Sequence, residues 1–194
     1  MKSFNLFPTL VKEFSVKGYP KKEKLLSAID SYPTTNHSAV KGGKSSFYVN
    51  NSSSNFLKEQ SFSDLESYFT ECVKDYSKEI GILPKPLDNC WFNIMEEANF
   101  TSAHNHPGSS IAGAYYPLLE ENTCNLVFHS PISPLQSAWF QEGDSFSLYH
   151  AIEYPLKIKQ DHLYLFPGWL SHSTEVNKGG KRIVVSFNVV PWSN

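Results

Sequence analysis

Apolar positions divide the chain into two textures. Up to residue 87 they recur at helical spacing or without a clear period; from residue 88 they fall in short runs. Leu65, Phe69, Cys72, Val73, Tyr76 and Ile80 lie at the spacing of one helix face, which predicts an amphipathic helix packed on its own sheet. Ser63 and Glu66 have the spacing of a capping box, which predicts Ser63 as N-cap. Gly81 ends that helix, and Pro84 and Pro86 prevent its return. Lys21 to Ser31 predicts a shorter helix with Leu25, Leu26 and Ile29 on one face. Residues 3–17 predict one strand, broken or bent at Pro8. Residues 33–60, rich in Ser, Asn and Gly, predict a long loop with a short strand at Phe47-Tyr48-Val49. A loop of that length is a lid, a binding loop or a plain surface segment.

After Pro86 the runs are Trp91–Met95, Ile111–Tyr116, Asn125–Phe128, Ser137–Phe140, Ser147–Tyr154, Leu156–Lys159, His162–Phe166 and Arg182–Val190. Gly, Pro, Asn and Ser punctuate them, and no helical period intervenes. Such spacing predicts a mainly β sandwich or jelly roll, with the N-terminal helices packed on one sheet. No internal repeat marks a boundary. The expectation is one domain over 1–194, with 1–87 as support and 88–194 as the jelly-roll core.

Composition narrows the function classes. Of 194 residues, 40% are hydrophobic and 14% aromatic, enough for one core and an aromatic-lined pocket. The net charge of −2 gives no basic footprint and argues against nucleic acid as a partner. Cys72, Cys90 and Cys124 are odd in number and form no CxxC, against a disulfide framework and a cysteine-held zinc. The first residues lack a signal-peptide core and no run approaches a membrane span, so a cytoplasmic protein is expected and the sequons at Asn50, Asn51 and Asn99 carry little weight.

The chemistry gathers around Ala103-His104-Asn105-His106-Pro107. On a strand, positions i and i+2 point to the same side, so His104 and His106 can bind one metal. His172 follows an apolar strand and a Pro167-Gly168 turn, which can return the chain beside the first pair. A local pair of ligands with a distal histidine is the layout of a non-haem Fe(II) facial triad. Arg182 opens a strongly apolar strand, where a guanidinium needs a partner, and its fork suits a carboxylate. The blander alternatives are surface histidines and a hairpin arginine turned to solvent.

The combination of Trp91-Phe92-Asn93, His104-Asn105-His106-Pro107, Ala112 through Tyr116, Phe166 through His172 and Arg182 through Asn188 resembles the 2-oxoglutarate and Fe(II)-dependent oxygenases. It is most similar to an oxygenase family of bacteria and their phages, over roughly residues 88–190. That resemblance implies a double-stranded β-helix with iron at its open end, and Fe(II) and 2-oxoglutarate as cofactors. It implies His104 as first ligand, His172 as distal ligand and Arg182 as partner of the far carboxylate of 2-oxoglutarate. It implies Tyr116 as support for that carboxylate, Asn93 on the cosubstrate, and Ser186 and Asn188 sharing the work of the arginine strand. It implies oxidation of a substrate, usually hydroxylation, with release of succinate and CO2.

The usual triad carries Asp or Glu where His106 stands. The family it most resembles carries HxH, which makes His106 the third ligand. The alternatives are water or an anion in that position, or a carboxylate from Glu96 or Glu97. Of the other histidines, His129 either faces the substrate or ends a surface strand, while His150 and His162 are expected to be structural. Tyr115, Trp139 and Trp169 are core or pocket wall. Competing functions are a three-histidine cupin-like metalloenzyme without 2-oxoglutarate, and a non-catalytic jelly-roll binding protein. The substrate, whether a small molecule, a protein side chain or a modified nucleotide, and the oligomeric state are not set by sequence.

Overall fold

The structure, a computed structural model, describes residues 2–3, 6–49, 54–83, 85–133, 148–149 and 151–190. In chain order the elements are β1 (Lys12–Ser15), α1 (Lys22–Ser31), β2 (Val40–Lys41), β3 (Lys44–Ser45), α2 (Phe56–Glu59) and α3 (Ser63–Ile80). Then follow β4 (Cys90–Met95), β5 (Phe100–Thr101), β6 (Ile111–Leu119), β7 (Leu126–His129), β8 (Glu153–Leu156), β9 (His162–Pro167), β10 (His172–Thr174) and β11 (Arg182–Val189). The main sheet runs β1-β9-β6-β11-β4-β3, and a smaller sheet runs β10-β7-β8; all their pairings are antiparallel. The mainly β fold is the double-stranded β-helix implied above.

The main sheet is buried on both faces, and strand alternation sorts its residues between them. On β11, Ile183, Val185, Phe187 and Val189 face the helices, as do Ile111 and Tyr115 on β6 and Cys90 and Phe92 on β4. The α3 stripe of Leu65, Phe69, Cys72, Val73 and Tyr76 completes this core, with Ile80 packed against it. Phe69 stacks on Phe187 at 5.3 Å between ring centroids. The opposite face carries Ala112, Ala114, Tyr116, Tyr164, Phe166 and Val184, which pack on Leu126 and Phe128 of the smaller sheet. This inner space holds the candidate site.

The helix boundaries follow the sequence closely, with two differences in detail. Gly81 ends α3 in the left-handed conformation, as expected. Ser63, however, is the first helical residue, Phe62 precedes it, and no side chain caps the end. Glu66 turns away to Asn55 Nδ2 at 3.1 Å, because Asn55 caps the short α2 helix that sequence pattern does not reveal. Among the described residues the N-terminal strand is confined to Lys12–Ser15, paired at the sheet edge with β9.

Two loop and strand expectations also change. Phe47-Tyr48-Val49 is a turn, and the two-residue strands β2 and β3 form just before it. The run at Leu156–Lys159 shifts to Glu153–Leu156, where β8 pairs with β7. Lys159 leaves the ladder and gives its backbone N–H to the Tyr164 hydroxyl. Ser137–Phe140, Trp139, His150, Pro84, Asn50 and Asn51 lie outside the described residues, as does part of Ser147–Tyr154. No described helix is long and apolar enough to cross a membrane.

Gly113 makes room for the Phe187 ring on which Phe69 of α3 packs. A Cβ there would lie 2.2 Å from the Phe187 ring, which is itself held against Phe69. Gly113→Ala is expected to destabilise by about 1–3 kcal/mol through overpacking. Thermal denaturation should show a fall of several degrees; an unchanged midpoint would mean that Phe187 has room to move.

Candidate metal centre and cosubstrate pocket

His104 lies just beyond β5 and His172 opens β10. The two backbones form an antiparallel bridge, with His104 N–H donating to His172 O at 3.0 Å and His172 N–H to His104 O at 2.8 Å. His106 N–H donates to Gly168 O at 2.8 Å, so the Pro167-Gly168 turn is pinned under the HxH segment. The approach there is close: a Cβ on Gly168 would lie 2.2 Å from Ser109 O, a backbone atom that cannot swing aside. Sequence positions 104, 106 and 172 thereby meet, and one ligand atom from each imidazole lies within 4.8 Å of the others.

The ring orientations are fixed from behind. His104 Nδ1 is 2.9 Å from the carbonyl of Ser102, and His172 Nδ1 is 2.9 Å from that of Leu170. A carbonyl only accepts, so each Nδ1 carries the proton and each Nε2 keeps a free lone pair. His106 Nδ1 donates to Asn188 Oδ1 at 2.5 Å, which sets the same tautomer. Partners of this kind orient and hold metal-binding imidazoles. Burial, the largest cause, holds all three below the usual histidine range, His106 at about 4 and His172 at about 3. The rings are therefore neutral near pH 7, as ligands must be.

No described carboxylate joins the cluster. Glu96 and Glu97 are exposed in the turn after β4, where Glu96 N–H bonds Asn99 Oδ1. They do not offer the missing acidic ligand.

Behind the histidines a cavity of about 350 Å³ runs between the two sheets. It is lined by all three histidines and by Asn93, Tyr116, Arg182, Ser186 and Asn188, so the histidines and the residues expected to hold the cosubstrate reach one space. Alternation explains the arginine strand: Arg182, Val184, Ser186 and Asn188 share the inner face of β11.

Arg182 is only 2% exposed, yet no described carboxylate pairs with it. One guanidinium nitrogen lies 3.5 Å from Met95 Sδ, another donates to the Tyr116 hydroxyl at 3.3 Å, and Nε has no partner among the described residues. The guanidinium also sits over the Tyr116 ring, 4.8 Å from its centroid. Burial raises the Tyr116 phenol above its ordinary range, so it stays protonated and able to donate. Asn93 Oδ1 is likewise buried without a partner. A buried cation with spare donors is costly alone and favours an anionic ligand. The free Nε2 atoms on one side and the arginine on the other fit Fe(II) and a short dicarboxylate.

The remaining candidates fall elsewhere. His129 lies on the opposite face of β7 from inward Phe128, bonding Ser173 Oγ at 2.9 Å and Glu153 at 3.2 Å. His162 bonds the Gln160 carbonyl and Glu13, in a structural setting. Tyr115 is core on the helix side, and Trp169 is half-exposed. Sequence reasoning overlooked His37, Phe47 and Tyr48, which line the cavity from the 33–60 loop, and gave Trp91 no role of its own. A loop with no period offers no signal of which side chains turn inward.

Comparison with known proteins agrees with this fold. The fold is similar to an oxidoreductase of the 2OG-Fe(II) oxygenase family from Burkholderia pseudomallei, with TM-score 0.63, 7% identity, and coverage of 92% of this chain and 82% of the other. It is similar to a Pseudomonas putida prolyl-4-hydroxylase, with TM-score 0.60, 9% identity and 94% of each chain covered. It is also similar to HygX from Streptomyces hygroscopicus, solved with nickel, 2-oxoglutarate and hygromycin B bound (TM-score 0.59, 9% identity, 94% of this chain and 83% of that one). No curated protein sequence matches. Residues 89–188, just over half of the chain, match the family described as "Putative 2OG-Fe(II) oxygenase". The protein therefore belongs to the 2OG-Fe(II) oxygenases, oxidoreductases that use iron and 2-oxoglutarate.

Proposed function

We propose that this protein is a dioxygenase that hydroxylates a small molecule or protein side chain, consuming 2-oxoglutarate and releasing succinate and CO2. The observation that carries the cosubstrate is Arg182, a buried guanidinium with no carboxylate partner among the described residues, in one cavity with three oriented imidazoles. When bound, iron and 2-oxoglutarate supply the oxidising chemistry; the protein binds, orients and shields.

Each side chain has a place in that work. His104, His106 and His172 present Nε2 to the metal, with their tautomers set by Ser102 O, Asn188 Oδ1 and Leu170 O. Arg182 and the Tyr116 hydroxyl hold the far carboxylate, with Ser186 beside them on the same wall. Asn93 offers a polar group to the cosubstrate. Asn188 works from behind His106, orienting a ligand, a more specific task than the shared duty on the arginine strand expected from sequence. The closely packed inner walls of β6, β9 and β11 exclude water from the far end of the cavity.

Three neutral ligands leave the metal site one negative charge short of a histidine–carboxylate triad. The two negative charges of 2-oxoglutarate, set against the divalent metal and Arg182 together, leave the loaded cavity with one net positive charge.

Succinate release from 2-oxoglutarate with Fe(II) tests the reading directly. Arg182→Ala is expected to raise KM for 2-oxoglutarate by roughly 30- to 1,000-fold, the loss of one or two charge-assisted hydrogen bonds. Unchanged turnover would instead indicate a three-histidine metalloenzyme that does not use 2-oxoglutarate. His106→Ala should lose Co(II) binding, followed by the visible ligand-field spectrum, and His106→Asp should restore it because a carboxylate is an equivalent ligand. Full binding by His106→Ala would place this histidine outside the metal shell.

A further inference from the structure

The mouth of the cavity is built from rings. His37 stacks on Tyr48 at 5.1 Å and 20° between planes, and Phe47 meets both edge-on, at 5.2 Å from His37 and 4.8 Å from Tyr48. Phe47 also meets Trp91 at 4.9 Å, and Trp91 is 5.8 Å from the His106 ring. Three of the four rings come from the loop that carries no sequence signal.

That loop is a wall tied at several points. β2 pairs with β5, and β3 with β4. Thr35 and Ser45 exchange backbone hydrogen bonds of 2.8 and 2.9 Å, and Ser46 N–H donates to Phe92 O at 3.0 Å. Gly43 lies so close to β4 that a Cβ would be 2.6 Å from Ile94 O. The rings are thus held over the metal side of the cavity, while Tyr48 is half-exposed and opens to solvent.

Charge and polarity restrict what enters. Among the described lining residues, Arg182 is the sole Lys, Arg, Asp or Glu. With metal, Arg182 and 2-oxoglutarate counted together, the cavity keeps one net positive charge, which disfavours a cationic group despite the aromatic faces. The His37 Nδ1 accepts the Ala39 N–H at 3.1 Å, so the neutral ring carries its proton on Nε2 and offers one donor.

We propose that His37, Phe47, Tyr48 and Trp91 form a substrate subsite for a flat, uncharged ring bearing a hydrogen-bond acceptor. The ring continues the His37–Tyr48 stack, and its substituent extends past Trp91 toward the three histidines. The assignment of this ligand as substrate rests on the oxygenase reading; the binding itself does not.

Saturation-transfer NMR on the full chain with Zn(II) and 2-oxoglutarate tests it with three probes. Benzamide is flat and neutral, cyclohexanecarboxamide is not flat, and benzylamine is cationic. Benzamide is expected to bind at least several-fold more tightly than the other two. Tyr48→Ala, at a half-exposed turn that can lose its ring without unfolding, should weaken benzamide roughly three- to ten-fold, the value of one aromatic pair. Equal binding of benzamide and cyclohexanecarboxamide, or unchanged benzamide binding in Tyr48→Ala, overturns the subsite. The visible band of Fe(II) with 2-oxoglutarate under argon separates the two readings. A band without benzamide preference removes only the subsite, whereas benzamide preference without the band removes only the oxygenase assignment of the ligand.

Discussion

The site depends on the reciprocal backbone hydrogen bonds between His104 and His172. These residues are far apart in sequence and belong to segments that face each other only after both sheets have formed. Two backbone bonds, and the third from His106 to Gly168, fix the histidine main chains before any metal is present. A preformed ligand set of this kind spares the metal the work of ordering its ligands. The nearby carbonyls and Asn188 then set the ring rotations. Gly168 is part of the same constraint, since any side chain there would drive the turn away from Ser109.

The main sheet does two jobs because its strands are buried on both faces. One set of alternating residues meets α3 and supplies a large apolar core. The other set lines the cavity, where Arg182, Ser186 and Asn188 replace apolar side chains. Those polar groups sit between large neighbours on the same strand, so the backbone that aims them is anchored by the core. A rigid strand places a buried guanidinium more securely than a loop could. The energetic penalty of leaving Arg182 without a counter-ion is an investment in binding one.

The side of the cavity proposed to meet the substrate is organised differently. The ring-bearing 33–49 segment borrows its order from two-residue strands laid on β4 and β5. Its apolar side chains turn into the cavity, while its backbone hydrogen bonds are met by the sheet margin. On the proposed reading, cosubstrate chemistry is carried by the sheet interior and substrate contact by an added wall. A change in the wall alters what enters without disturbing the ligands.

Much of this was legible in the residues. The α3 stripe, the strand-rich second half and the set His104, His106, His172 and Arg182 all follow from side-chain type and spacing, because local periodicity reports which faces must be buried. The resemblance added Tyr116, Asn93, Ser186 and Asn188, and all of them line the cavity. Other features depended on folding. Ser63 and Glu66 fit a capping box, but Asn55 competes for the glutamate and wins through a contact between helices. Phe47 and Tyr48 have strand-forming side chains, but the cavity turns them inward from a bend. Spacing could nominate three histidines; only the antiparallel crossing of His104 and His172 could bring three nitrogens to one point, because that distance is set by hydrogen bonds between strands and not along the chain.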